Sequence, residues 1–277
     1  MTENKYVLRL LTVEESKQLF FNEQSSIIIN YLLKKVLFSQ PEIPLGDKPK
    51  NIQITKEFLE TWIAQAFDLT PKGAGNYPID VYSSEKKFGF DVKFVSSGVD
   101  INNNFKSNDS NETSIAQNFA KEGKNLDSLF DTQQFEEILN LWKDLLLRKN
   151  TKAKTELNLD KIYYAIFIRG GGTISLAIAE FHIENIKNLT VNKSTSTSVY
   201  VDNFIDNSLG NVKIYRSKKR MELRTKPLNL YSSGFLHKWD FSKIYKPKNI
   251  QLSDVIHDKE SFYNYVKEEF EKLFFDS

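Results

Sequence analysis

The sequence predicts an α/β or α+β domain, a mixed central β-sheet flanked by helices. Two observations carry this. Apolar residues recur at helical spacing toward both ends, over Val13 to Phe38 and again from Asp254 to Phe274. Between them lie short runs that either alternate or are continuously apolar, such as GFDVKF and KIYYAIFIRG. The 277 residues suffice for one large domain, and no internal repeat divides them.

Thr12 followed by Glu15 is a capping box and opens a helix from about Val13 to Phe21. A second helix runs from about Ser25 to Phe38, and the stretch Pro41 to Pro49 is a loop. Helix resumes near Thr55, with Leu59, Trp62, Ile63 and Ala66 on one face, and TPKGAGN breaks it. YPIDVYS and FGFDVKFVS then form two strands joined by SEKK. Asp100 to Glu112 is polar and of low complexity, which predicts a mobile loop. Ser114 to Ala120 is compatible with helix, Gln133 to Leu147 more strongly so, and Lys149 to Leu159 is a polar connector. KIYYAIFIRG and TISLAIAEFHI are strands on either side of RGGGT; SVYVDNF and NVKIYRS are two more. A loop-rich stretch with Pro227 and Gly234 precedes the closing helix, Asp254 to Phe274.

Composition narrows the chemistry. There are no cysteines, which excludes disulfides, cysteine-ligated zinc and thiol catalysis. The three histidines, His182, His237 and His257, lack the spacing of a zinc-protease motif. No apolar run is long enough to span a bilayer, and the N-terminal segment has no signal-peptide core, so a cytoplasmic location without membrane contact is expected. Net charge is only +2, but between Lys213 and Lys226 seven cations meet one acid, Glu222. Such a local patch matters more for phosphate contact than the total does. Arg216, Lys218, Lys219, Arg220, Arg224 and Lys226 are the candidate DNA-contacting residues. Their bland alternative is a solvated strand edge.

The hairpin carries the sharpest signal. Side chains alternate across a strand, so Phe88, Phe90, Val92 and Phe94 share one face, and Asp91 and Lys93 share the other. Asp80, on the partner strand, comes eleven residues before Asp91. With the strands in register, two carboxylates and an ammonium meet on one patch. Adjacent carboxylates repel, and a divalent cation relieves that repulsion. Magnesium prefers oxygen ligands and often takes one or two carboxylates plus a substrate phosphate. A neighbouring lysine can hold water or stabilise charge developing on phosphorus. The alternative is an outer hairpin face that only meets solvent.

Asp80, ten intervening residues and then Asp91-Val92-Lys93 resemble the PD-(D/E)xK nuclease motif. An acid, any residue, then lysine occurs five times in the chain, but only this copy lies in a strong strand with an acid on the strand before it. Pro78 stands two residues before Asp80, where the family often has its proline immediately before. The resemblance spans about a quarter of the chain, and among its branches type II restriction endonucleases are the most similar. It implies a restriction-endonuclease-like fold with a catalytic core of about 55–182 and a recognition portion of about 183–250. It implies Mg2+ held by Asp80, Asp91 and the Val92 carbonyl, with Lys93 orienting the attacking water. Sequence-specific cleavage of double-stranded DNA to 5′-phosphate ends, by a homodimer, is the implied activity. Members often add a carboxylate from the preceding helix; Glu60 and Glu57 are available, Glu60 being preferred. Some use a glutamine on the next helix, where Gln117 stands, although a plain polar position explains it as well. A structure-specific repair or phage nuclease of the same superfamily is the alternative, as is a non-catalytic DNA-binding or protein-interaction module. RGGGT lacks the lysine and hydroxyl of a P-loop and is a turn; His237 and Trp239 are packing residues.

Overall fold

A computed structural model describes residues 5–38, 40, 43–44, 51–72, 77–102, 104–117, 124–241 and 249–250, with a few isolated positions between 260 and 271. Among these residues the protein is a mixed α+β structure. Its eight-stranded main sheet runs β1 (Leu8–Leu10), β9 (Thr173–Phe181), β8 (Lys161–Gly170), β5 (Phe88–Val99), β4 (Val81–Ser83) and β3 (Thr70–Pro71), joined by β6 (Phe105–Ser110) on β5 and β14 (His237–Asp240) on β9. β5 and β8 are parallel; the other pairs in this sheet are antiparallel.

Three helices cover one face: α1 (Val13–Leu19), α2 (Glu23–Phe38) and α3 (Lys56–Phe67). The capping box forms as the sequence requires, with Thr12 Oγ1 accepting from the Glu15 amide at 3.1 Å and Glu15 Oε2 from the Thr12 amide at 2.8 Å. Phe90 and Val92 are wholly buried beneath these helices, and Phe88 and Phe94 pack beside them. Phe20 anchors the layer, with its ring 5.0 Å from Phe90 and 4.9 Å from Tyr163.

The opposite face is covered by α5 (Phe135–Glu156) and by a second, antiparallel sheet. Its order is β10 (Thr190–Ser194), β11 (Ser198–Asp202), β12 (Gly210–Tyr215), β13 (Arg220–Thr225) and β7 (Glu112–Gln117). Val199, Val201, Val212, Ile214, Met221 and Leu223 point inward and join α5, Tyr164 and Ile166 in one core. The strand β7 forms the edge of this second sheet and lies beside β5.

Several local expectations are corrected. The predicted loop from Asp100 to Glu112 contains β6, whose backbone pairs with the end of β5 despite its polar composition. Ser114 to Gln117, expected as helix, is strand, because β13 offers it a ladder partner. The connector from Lys149 continues α5 to Glu156, with Asn150 and Ala153 on its buried side. The stretch after Pro227 holds a short helix, α6 (Pro227–Ser232). Most of the closing helix, whose described positions are helical, and most of the Pro41 to Pro49 loop, in which Ile43 and Pro44 are strand, lie outside the described residues. The chain also crosses the expected bounds of 55–182 and 183–250: β1 and β14 both pair with β9, and β7 belongs to the second sheet. No helix among the described residues is long and apolar enough to cross a membrane.

Candidate active site

The hairpin strands meet in the anticipated register. Val81 lies opposite Phe90, and the Asp80 amide donates to the Phe90 carbonyl at 2.9 Å. Asp80 sits one residue ahead of β4, so its side chain is free to turn back on β5. There its Oδ2 accepts the Val92 amide at 2.7 Å. In a strand, one residue's N–H and C=O point to the same side. The Val92 carbonyl therefore shares this open edge, past the end of β4.

Asp91 and Lys93 do not face water. They are only 3% and 8% exposed, which sets aside the solvated-face alternative. Lys93 Nζ lies 2.7 Å from Asp91 Oδ1 and 5.5 Å from the centre of the Tyr164 ring. Tyr164 is the register partner of Asp91 on β8. Burial and the Asp91 and Asp80 charges push its phenol well above the ordinary 10, so it stays protonated beside Asp91. Burial is also the largest influence on Asp91 and raises its carboxyl from 3.8 to about 6; Lys93 opposes the rise and Asp80 adds to it.

These groups line a cleft of about 360 Å³ between the two sheets. Asp80, Asp91 and Lys93 come from the main sheet, and residues 113–117 of β7 form the facing wall. Lys56 from α3, Lys149 from α5, and Tyr77 and Pro78 ahead of Asp80 complete it. Lys56 Nζ reaches both Asp80 oxygens at 3.2 Å and Glu60 Oε1 at 2.7 Å. Burial disfavours its charge, but Asp80, Glu60 and Asp91 outweigh that and raise its pKa. Glu60 is thereby tied to the site through Lys56, whereas Glu57 is exposed in the first turn of α3. Gln117 lines the cleft from the end of β7, a strand and not the expected helix.

The donor set suits one type of cation. No group of three or more histidine, cysteine, aspartate or glutamate side chains that could hold a metal occurs among the described residues. Two carboxylates and a carbonyl fit an ion that keeps several of its own waters, as Mg2+ does, and not one that requires a full protein cage. The repulsion between Asp80 and Asp91 points to the same need for positive charge.

The basic cluster does not line the cleft but lies next to its β7 wall, on β13 and the turn before it, with Arg220 opposite Gln117, and it is largely neutralised. Arg216 pairs with Asp131 at 2.7 Å and Asp127 at 3.1 Å, and Lys219 with Asp127 at 3.4 Å. Lys218 contacts Glu222 at 2.8 Å and Glu112 at 3.0 Å, and Arg224 contacts Glu112 at 3.2 Å. Lys226 donates to the Asn207 carbonyl, and Arg220 is exposed. Burial works against the Glu112 charge, but bonds from Tyr215 and Lys218 prevail and draw its pKa down to about 2.

Lys56, Tyr77, Lys149 and the β7 wall apart from Gln117 are the parts of the cleft that sequence reasoning missed, as is Tyr164 behind it. Tyr164 had a usable signal, because a continuous apolar strand with a tyrosine pair holds one hydroxyl on each face. Compared with known proteins, the chain matches no family model and shows no significant similarity to a curated protein or a solved structure.

Proposed function

We propose that this protein is a Mg2+-dependent endonuclease of double-stranded DNA, working in the manner of type II restriction enzymes. The observation that carries the proposal is the convergence of Asp80, Asp91 and Lys93 in one cleft, with the charged pair buried and not solvated. Asp80, Asp91 and the Val92 carbonyl would hold the ion. When bound, Mg2+ supplies Lewis acidity toward the phosphate and eases ionisation of water.

The residues of the chain do the rest. Lys93, fixed between Asp91 and the Tyr164 ring, holds the attacking water and offsets negative charge growing on phosphorus. The water oxygen bonds to phosphorus as the bond to the 3′ oxygen breaks, and that oxygen takes up a proton. The products carry 5′-phosphate and 3′-hydroxyl ends. Tyr164 lies beside Asp91 on the neighbouring strand and backs Lys93 with its ring, and Glu60 acts at the edge of the site through Lys56. A homodimer would match a palindromic target by shared symmetry. A cytoplasmic location accords with this role.

The carboxylate pairing of the basic cluster favours a second reading, a nuclease of the same superfamily that recognises DNA structure. Digestion of unmethylated phage DNA with Mg2+ separates the two. Discrete fragments identify a site-specific enzyme, and a smear or cleavage confined to branched DNA identifies the second. Lys93→Ala should abolish either activity. Cleavage that survives this substitution, or intact DNA on every substrate, refutes the nuclease proposal.

A further inference from the structure

Lys56 is a cation that the acid-and-lysine motif does not explain. It occupies the first turn of α3, where the helix dipole disfavours positive charge. Its ammonium nevertheless reaches back into the cleft and spans Asp80 and Glu60. Its exposure differs from that of Lys93: the Lys56 side chain is 42% exposed and the Lys93 side chain 10%. Lys93 is enclosed by the sheet, whereas Lys56 reaches its partners from the cleft edge on a flexible four-carbon stem.

Resting on the nuclease reading, we propose that Lys56 is the resident countercation of the free site. It occupies the place of a metal beside Asp80 until metal and DNA arrive, then transfers its ammonium to a phosphate oxygen of the DNA. Asp80 cannot serve a metal fully while both its oxygens accept from Lys56. The incoming ion therefore displaces an ion pair as it binds. The displaced ammonium stands at the cleft rim, where the DNA backbone enters. In the empty site this exchange keeps Asp80 and Glu60 from facing each other uncompensated. In the loaded site it adds a phosphate contact from the α3 side of the cleft, separate from the role of Lys93.

The test uses the full chain, with Mn2+ alone as the metal probe. Calorimetric titration without DNA compares wild type, Lys56→Met, Lys56→Arg and Asp80→Asn. Lys56→Met should bind Mn2+ about three- to tenfold more tightly, since one competing partly exposed ion pair is gone. Lys56→Arg keeps the charge and should stay close to wild type, while Asp80→Asn should lose binding. On a DNA duplex with Ca2+, Lys56→Met should bind more weakly, and its salt slope should fall by about 0.9, the loss of one phosphate contact. Unchanged Mn2+ affinity in Lys56→Met overturns this inference, and cleavage by wild type would leave the nuclease reading intact. If wild type neither binds Mn2+ nor cuts DNA, the nuclease reading falls and takes this inference with it.

Discussion

Removing Lys93 should cost stability through Asp91 more than through lost packing. In the wild type the Asp91 carboxyl titrates at about 6 in the fold against 3.8 ordinarily, because burial outweighs the help of Lys93. A folded-state pKa that is raised means the native protein binds the proton more readily than the unfolded chain. The contribution is therefore most favourable below pH 3.8 and is lost as pH rises through about 6. By pH 7 the loss is about 3 kcal/mol, at about 1.4 kcal/mol per pKa unit. Lys93→Met takes away the main opposing influence, so the carboxyl should titrate higher still. The cost of an uncompensated buried charge should then appear as a further loss of about 3 to 5 kcal/mol at pH 8. Asp91→Asn/Lys93→Met replaces both charges and should recover to wild-type stability or above, since neutral replacement of a buried pair is often neutral to stabilising. Urea unfolding of the three proteins at pH 5 and pH 8, with chelator present, reads this directly. Equal stability of the single and double variants at pH 8 would refute the reasoning, because Asp91 would then not be a buried charge at all.

Further consequences of the same geometry can be measured. Gly89→Ala would place a Cβ 2.9 Å from Ile79 Cγ2 and 3.2 Å from the Val81 carbonyl, so a loss of about 1 to 3 kcal/mol is expected in urea. Adding Mg2+ should raise the Tm of the wild type but not of Asp80→Asn, by an amount that grows with the logarithm of ion concentration. His237 is stacked on Phe21 at 4.2 Å and its pKa is lowered to about 4, chiefly by burial. It is neutral in the fold and takes up a proton on unfolding below pH 6.5, so its contribution is present above 6.5 and is lost as pH falls toward 4. His237→Phe should flatten the dependence of Tm on pH across that window.

The hairpin was legible because strand alternation is strict and one face is apolar without exception. The burial of the other face was not, because its cover comes from distant segments that look unlike core. Residues 113–117 of β7 are mostly polar, and only Ile115 and Ala116 are buried. Their strand conformation depends on pairing with β13, more than a hundred residues later in the chain. β6 was hidden for a related reason: its ladder is made by backbone groups, which a run of asparagine and serine does not advertise. The basic cluster shows the opposite error. Along the chain Arg216, Lys218, Lys219 and Arg224 meet almost no acid. In space Glu112 arrives on β7, and Asp127 and Asp131 on α4 (Leu126–Asp131). Local charge counts miss partners that topology supplies.

The placement of Asp91 and Lys93 bears on why the cleft exists. They are nearly as buried as their wholly buried neighbours Phe90 and Val92, at depths that apolar side chains ordinarily occupy. Two charges at those positions lower stability at neutral pH, and Asp80 increases the penalty by repelling Asp91. The chain also gives up ladder bonds here: β4 ends at Ser83 and begins only at Val81, leaving the Val92 amide to a carboxylate instead of a strand partner. Each of these costs diminishes when positive charge and a phosphate enter from the open edge. Lys56 already supplies part of that charge, at a helix position that disfavours it. A site that is least favourable when empty and improves in several ways with the same kind of ligand is organised for binding, and the ligand we propose, a DNA phosphodiester with its counterion, meets each of those needs.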